Sequence, residues 1–248
     1  MNILGIIPAR YASTRFPAKP LADIGGKPMI QRVYEQAIKS KHLTGVVVAT
    51  DHNDIFDCVN NFGGKVMLTS DTHESGTDRC AEVAAKWKEP VDYIVNIQGD
   101  EPFISPAQID LLASLLKGKT ELATLVKKIK DLTILTSPRV VKVVVNTHNY
   151  GIYFSRSPLP YQRANPNEWL SKHTYFKHIG MYGYRADILK SITKLPVSTL
   201  EKAESLEQLR WIENGYSILT AETEIESVSI DTPEDLERAV NSLSKQHG

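Results

Sequence analysis

Side chains able to do chemistry concentrate in a few short segments of this chain. The first runs Pro8-Ala9-Arg10-Tyr11-Ala12-Ser13-Thr14-Arg15-Phe16-Pro17-Ala18-Lys19-Pro20 and holds Arg10, Arg15 and Lys19 beside Ser13 and Thr14, with no acid among them. A polyphosphate needs fixed cations and backbone N–H groups where its charge collects, and this loop has that composition. A solvated basic loop is the plainer reading of the same residues. The glycine patterns of a P-loop and of a dinucleotide fingerprint are both absent, so a phosphate site here is of another kind. The second segment, Asn96-Ile97-Gln98-Gly99-Asp100-Glu101-Pro102, brings adjacent acids to the end of an apolar run. Carboxylates placed this way, facing a phosphate loop, are what magnesium on a nucleoside triphosphate requires. An acidic turn ahead of a helix is the alternative. Asp100 lies nearer the strand end and is the better ligand candidate, whereas Glu101, just before a proline, reads as structural. In the third segment, Ser229-Ile230-Asp231-Thr232-Pro233-Glu234-Asp235, Asp231 could ligate a metal or, with Thr232, cap the helix that begins at Pro233.

Two smaller features join these. Glu74-Ser75-Gly76-Thr77-Asp78-Arg79 opens a helix whose N–H groups, with Arg79, could meet an anion or a base edge. An ordinary Gly-Thr helix entry accounts for the same residues. His178 sits among alternating aromatic and small residues, where a lone histidine is more often structural than catalytic.

The elements that must position these residues follow from periodicity. Asn2–Pro8, Gly45–Thr50, Lys65–Leu68 and Val91–Ile97 are short apolar runs that read as buried strands. Helical spacing recurs from Pro28 to Ile38, from Asn53 to Phe62 and from Thr77 to Lys88. Alternation of this kind predicts an α/β fold with right-handed crossovers and a doubly wound parallel sheet. Such sheets bind ligands beyond the carboxyl ends of their strands, so Pro8–Lys19, Thr50-Asp51 and Gln98–Glu101 fall along one edge. The later half is less regular: Val140–Asn146, Gly151–Ser155 and Lys177–Tyr184 read as strands of a mixed sheet. Leu200–Asn214 is predicted as one helix closed by Gly215, followed by short strands at Ser217–Ala221 and Glu226–Ile230 and a final helix over Thr232–Ser244. One domain over residues 1–248 with an inserted subregion is the simplest organisation.

Composition narrows the functional classes. Lys plus Arg number 29 and Asp plus Glu number 29, so the 248-residue chain is formally neutral and presents no global attraction for nucleic acid or an anionic membrane. With 42% hydrophobic and 23% charged residues it is composed like an ordinary globular enzyme. No stretch approaches the roughly 20 apolar residues of a membrane helix, and no leader pattern precedes the first strand. Cys58 and Cys80 stand apart from any C-x-x-C or histidine pair, as expected of reduced thiols in the cytoplasm rather than of a zinc or redox centre.

Taken in order, IIPARYASTRFPAKPLADIGGKPMI, SGTDR, VNIQGDEP, YFSRSPLPY, KHIGMYGYR, ESLEQLR and SIDTPEDLE closely resemble the 3-deoxy-manno-octulosonate (Kdo) cytidylyltransferases, or CMP-Kdo synthetases, from about residue 3 to residue 240. CMP-sialic acid synthetases share that fold with a more glycine-rich first loop, and the A-A-G-x-G-type loop of sugar-1-phosphate nucleotidyltransferases is missing here. The resemblance implies a nucleotide-diphospho-sugar transferase fold (Rossmann-like, with a mixed, mostly parallel sheet and a small inserted subregion for sugar binding and dimerisation), a homodimer, and Mg-dependent transfer of CMP from CTP to Kdo for lipopolysaccharide synthesis. By matching motifs it assigns Arg10, Arg15 and Lys19 to the triphosphate, and Thr77, Arg79 and Gln98 to base and ribose. Asp100 and Asp231 become paired metal ligands, with Lys19, Arg15, Asp100 and Asp231 the catalytic set. Arg156, Arg163, His178, Tyr182, Glu207 and Gln208 fall on the sugar side. Arg163–Lys172 (RANPNEWLSK) departs most from the family pattern. Other acidic sugars, such as 8-amino-Kdo or sialic acid, and a CTP-binding sensor without catalysis are the alternatives.

Overall fold

Apolar runs closed by turn residues become the strands of the computed structural model, which describes residues 1–12, 16–163, 165–226 and 228–246. The chain divides into two compact units, one formed by Met1–Ala113 with Glu226–Gly248 and the other by Ser114–Ile225. No helix among the described residues is long and apolar enough to cross a membrane.

The first unit alternates β1 (Ile3–Ala9), α1 (Met29–Ala37), β2 (Gly45–Thr50), α2 (Asn53–Asn61), β3 (Val66–Leu68), α3 (Gly76–Lys86) and β4 (Tyr93–Asn96), and α4 (Pro106–Leu115) then crosses into the second. β1 pairs in parallel with β2 and with β4, and β2 with β3, giving the order β3-β2-β1-β4. Ile3, Leu4, Ile6 and Ile7 of β1 are buried, as a central parallel strand covered on both faces requires. Because all four strands run the same way, Ala9, Thr50, Leu68 and Asn96 end at one edge, where Pro8–Lys19, Thr50-Asp51 and Gln98–Glu101 were expected. α1 begins at the residue after Pro28 and buries Met29, Ile30, Val33 and Ala37. α3 carries a capping box, in which Ser75 Oγ accepts from the Asp78 N–H and Asp78 Oδ2 accepts from the Ser75 N–H.

The second unit holds β5 (Leu122–Lys128), α5 (Leu132–Thr136), β6 (Lys142–Val145), β7 (Tyr150–Ser155), α6 (Trp169–Lys172), β8 (Phe176–Arg185), α7 (Ala186–Ile192), α8 (Thr199–Glu204), α9 (Gln208–Glu213) and β9 (Ile218–Glu222). β5 runs antiparallel to β8 and parallel to β9, β9 and β6 run antiparallel to β7, and β6 also pairs antiparallel with β8. These pairings close a circuit of strands, so the sheet is mixed. The chain then returns to the first unit through α10 (Pro233–Gln246).

Two expectations change, and one group of elements was not foreseen. Leu200–Asn214 is two helices, because Ser205 takes a left-handed conformation (φ 52°) and ends α8. The break is held from outside: Glu204 accepts from Ser155 Oγ at 2.6 Å and the Arg156 N–H at 3.0 Å, while Arg156 Nε donates to the Glu204 carbonyl at 2.8 Å. Gly215, with φ 83°, closes α9 as foreseen. The described part of Glu226–Ile230 forms no strand, since the Ile230 N–H donates to the Asp100 carbonyl at 2.9 Å instead of to a ladder. β5, with α4, α5 and α7, was not legible. LATLVKK suits helix or strand equally, and only its neighbours β8 and β9 make it a strand.

α8 is tied to α9 by Arg210, whose Nε and Nη2 reach the two oxygens of Glu201 at 2.7 and 2.6 Å, each side chain only 12% exposed. Arg210→Met strands the Glu201 carboxylate and is expected to cost about 3 kcal/mol, read as a lower denaturation midpoint in urea. Glu201→Gln together with Arg210→Met should recover part of it.

Candidate active site

At the carboxyl edge of the first unit, Lys19 meets both acids singled out from the sequence. Its Nζ lies 2.8 Å from Asp100 Oδ2 and 3.4 Å from Asp231 Oδ1. Each element contributes for a local reason. Ala18, in the left-handed region at φ 54°, turns the chain so that Lys19 opens a short 3-10 helix. Asp100 sits on the turn after β4, where the Glu101 N–H donates to the Gln98 carbonyl at 3.3 Å. Glu101 is buried and Asp100 half-buried, so Asp100 is the acid of the pair left open to the cluster. Gly99 permits this placement, since a Cβ there would lie 2.7 Å from the Pro8 carbonyl oxygen. The choice left open at Asp231 resolves in its neighbour: Thr232 Oγ1 accepts from the Asp235 N–H, and Asp235 Oδ2 accepts from the N–H groups of Asp231 and Thr232. Thr232 therefore caps α10, and the Asp231 carboxylate is turned to Lys19.

Arg10 is half-buried, and its buried Nη2 finds no acceptor among the described residues. A buried donor in that condition is costly unless a ligand satisfies it. Arg15 lies outside the described residues. Thr77 is buried in the first turn of α3, and Gln98 is half-buried at the end of β4. Arg79 differs from expectation: its side chain has no exposed surface and is held by Asp51 Oδ2 at 2.9 Å and by Thr69 Oγ1. It braces the strand ends, and its buried Nε is left without a partner among the described residues.

Two carboxylates converging on one ammonium form a set of hard oxygen donors that fits a small divalent cation, with Lys19 Nζ occupying the position of positive charge. No group of three or more His, Cys, Asp or Glu suited to a metal occurs among the described residues. A cation on Asp100 and Asp231 would thus complete its shell with phosphate oxygens and water.

In the second unit, His178 and Tyr182 lie together with ring centroids 5.1 Å apart. Thr124 Oγ1 is 2.8 Å from the Met181 carbonyl and 2.9 Å from His178 Nε2. The hydroxyl has one proton, so when Met181 takes it the oxygen accepts from a protonated Nε2. Burial pulls the His178 pKa down to about 3, which keeps the ring neutral at physiological pH. Burial, with Tyr184 and Glu207 nearby, drives the Tyr182 phenol well above its usual value. Its buried hydroxyl finds no partner among the described residues. Gln208 is buried, Glu207 half-buried and Arg163 exposed. Arg156 is occupied otherwise than expected: its nitrogens donate to the carbonyls of Glu204, Pro138 and Ser205 at 2.8, 3.2 and 3.4 Å, closing the end of α8. Sequence reasoning missed Thr124 because β5 was not recognised, and it placed Asp51 at the ligand edge without giving it a role.

Comparison with known proteins first defines the class. The profile of the cytidylyltransferase family matches residues 4–240. At 13% identity and a TM-score of 0.63, the 4-diphosphocytidyl-2C-methyl-D-erythritol synthase of Anaerococcus prevotii shares the fold alone. The 3-deoxy-manno-octulosonate cytidylyltransferase of Cytophaga hutchinsonii is 57% identical over 98% of both chains, and that of Geobacter sulfurreducens 49% identical over 98% of this chain and 100% of its own. A solved CMP:2-keto-3-deoxy-manno-octonic acid synthetase, complexed with CTP, is 42% identical over 99% of this chain and all of that one, with a TM-score of 0.92. The chain belongs to the cytidylyltransferase family, and within it to the 3-deoxy-manno-octulosonate cytidylyltransferases.

Two outcomes follow from this geometry. Gly99→Ala forces the β4 turn away from Pro8, and overpacking of this kind costs about 1–3 kcal/mol. A lowered melting temperature with impaired turnover is expected. The second concerns acid. With the folded pKa of His178 near 3 and an unfolded value of 6.5, the unfolded chain binds the extra proton between those limits. Stability therefore falls as pH drops from 6.5 toward 3, by a few kcal/mol at most. His178→Gln should flatten that slope in melting curves recorded across the window.

Proposed function

We propose that this chain transfers CMP from CTP to the anomeric hydroxyl of Kdo, releasing pyrophosphate. The names of relatives up to 57% identical support the reading, as does the solved relative bound to CTP. On the chain itself one observation carries it: Lys19 lies between Asp100 and Asp231 at the carboxyl edge of a parallel sheet, within a loop that also bears Arg10.

In this reading the sugar hydroxyl attacks the α-phosphorus in line and no covalent enzyme intermediate forms. Catalysis is then mostly positioning and charge stabilisation. Arg10, Arg15 and Lys19 neutralise the triphosphate and the departing pyrophosphate, and phosphate oxygen would satisfy the orphaned Arg10 Nη2. Asp100 and Asp231 would hold Mg²⁺, which when bound polarises the α-phosphate and lowers the pKa of the attacking hydroxyl. Thr77 and Gln98 serve the base and ribose. On the sugar side, Tyr182 offers its unsatisfied hydroxyl, neutral His178 a hydrogen bond, Glu207 and Gln208 acceptors for hydroxyls, and Arg163 a cation for the acid group. Arg156 acts there through the backbone it holds around Glu204 and Ser205. The same reading makes residues 1–248 one catalytic domain of a cytoplasmic homodimer in lipopolysaccharide synthesis.

Pyrophosphate release from CTP and Mg²⁺, with Kdo, 8-amino-Kdo and sialic acid in parallel, tests the proposal. Turnover with Kdo is expected. Preference for the amino sugar would move the specificity and keep the chemistry, whereas silence from folded protein that still binds CTP would indicate a sensor. Lys19→Ala and Asp100→Ala should each lower kcat by about 10²-fold or more, by analogy with the loss of a preorganised transition-state contact. Near-normal turnover in either variant would sink the assignment.

A further inference from the structure

Asp51 stands at the carboxyl end of β2, beside the cationic loop and outside it. Its two oxygens have different tasks. Oδ2 takes Nη2 of Arg79 at 2.9 Å, and Oδ1 takes the backbone N–H of Tyr11 at 3.3 Å. Arg79 is fully buried and also held by Thr69, whose N–H and hydroxyl both donate to the Thr50 carbonyl, at 2.8 and 3.1 Å. The carboxylate is only 12% exposed, so a rigid brace fixes it from the strand ends.

Tyr11 is constrained on every side. Besides Asp51 on its N–H, its carbonyl accepts from the Ala18 N–H at 3.0 Å, and its ring stacks on His52 at 3.7 Å and 16°. His52 is itself fixed, with Nδ1 accepting from the Asp54 N–H at 3.2 Å as the cap of α2. The Tyr11–Ala18 bond is the neck of the loop. Arg10 precedes one side of it and Lys19 follows the other, so the neck sets the spacing of the two cations. Ala18 holds φ 54°, a conformation costing on the order of 1 kcal/mol that persists where the surroundings over-determine it.

We propose that Asp51 is a positioning residue for the nucleotide: through the Tyr11 N–H it fixes the neck of the loop and thereby the separation of Arg10 and Lys19, with Arg79 and Thr69 bracing it. The proposal rests on the CTP-binding reading and adds to it a role for the buried Asp51–Arg79 pair. A brace serving stability alone would alter the use of both substrates together. A brace for the phosphate loop alters the use of CTP.

Asp51→Ala alone leaves a buried guanidinium uncompensated and is liable to unfold, so the informative variant is Asp51→Ala with Arg79→Met, which removes both charges together. Its thermal melt is expected close to that of the unaltered chain. KM for CTP should rise about tenfold or more, in line with the loss of a hydrogen bond to a charged group, while KM for the sugar stays within about twofold. CTP affinity by titration calorimetry should weaken in parallel. Asp51→Asn with Arg79→Met, which keeps an oxygen for the Tyr11 N–H and leaves no uncompensated charge, should retain most of the CTP affinity. Unchanged CTP affinity in the Ala/Met variant, or an Asn/Met variant as impaired as the Ala/Met one, overturns the proposal. Failure of the unaltered chain to bind CTP at all would overturn the functional reading and this role with it.

Discussion

One ammonium group lies between two carboxylates that come from far apart in the chain, Asp100 at 81 residues and Asp231 at 212 residues from Lys19. The three charges are partly solvated, with side-chain exposures of 17, 27 and 41%, so each contact is screened and contributes little stability by itself. Their value is geometric. Two acids facing one another would repel without the cation, and the cation would have no fixed place without the acids. Much of the first unit serves to bring them together. Parallel strands end at a common edge, Gly99 lets the β4 turn approach Pro8, and the Ile230 N–H on the Asp100 carbonyl draws the last segment alongside. Thr232 takes over the capping of α10, which leaves Asp231 for the cluster.

Buried polar groups of the two units sort by whether the protein satisfies them. Lys142 has no exposed surface, yet its ammonium donates to the carbonyls of Ser137 at 2.9 Å, Val140 at 2.6 Å and Arg156. Burial lowers its pKa, and Glu204 opposes that shift. Arg156 and Arg210 are likewise spent on backbone and carboxylate oxygens, so these cations hold structure. Arg10 Nη2 and the Tyr182 hydroxyl are buried with no partner among the described residues. An unsatisfied donor inside a protein is unfavourable, and in the proposed function a ligand would complete the hydrogen bonding of these two. Arg79 Nε and Asn96 Oδ1 are also unpaired in that sense, both close to the strand ends that carry the site.

The basic loop after β1 shows how backbone and side chain cooperate at the sheet edge. A left-handed Ala18 would be a poor choice in a loop free to relax. It is held here by the neck hydrogen bond and by the 3-10 turn that follows. The conformation delivers Lys19 to the acids, and the stacked Tyr11 and His52 rings close the other side of the neck.

Much of this was legible in the amino-acid order. Continuous apolar runs ending in Pro8, Thr50 and Ile97 read as buried strands, and their alternation with helical segments placed the basic loop and the QGDE turn at one edge. Periodicity also located α1, α2, α3 and α10 to within a few residues, since local packing and capping decide such elements. Other features depended on contacts distant in sequence. Leu200–Asn214 has an unbroken helical pattern, and it breaks at Ser205 because Ser155 and Arg156, at the end of β7, hold Glu204 and Ser205. Leu122–Lys128 has no decisive period, and only pairing with β8 and β9 makes it a strand. Arg79 and Arg156 looked like ligand contacts because both are cations in suggestive motifs. In the fold Arg79 donates to Asp51 and Thr69 and Arg156 to backbone carbonyls, and partners are a property of three dimensions. Residue type and spacing thus determined which chemistry the chain could perform and at which edge. Tertiary structure decided which of two equivalent charges is spent on the fold and which is left for a ligand, because that depends on what folding brings within about 3 Å.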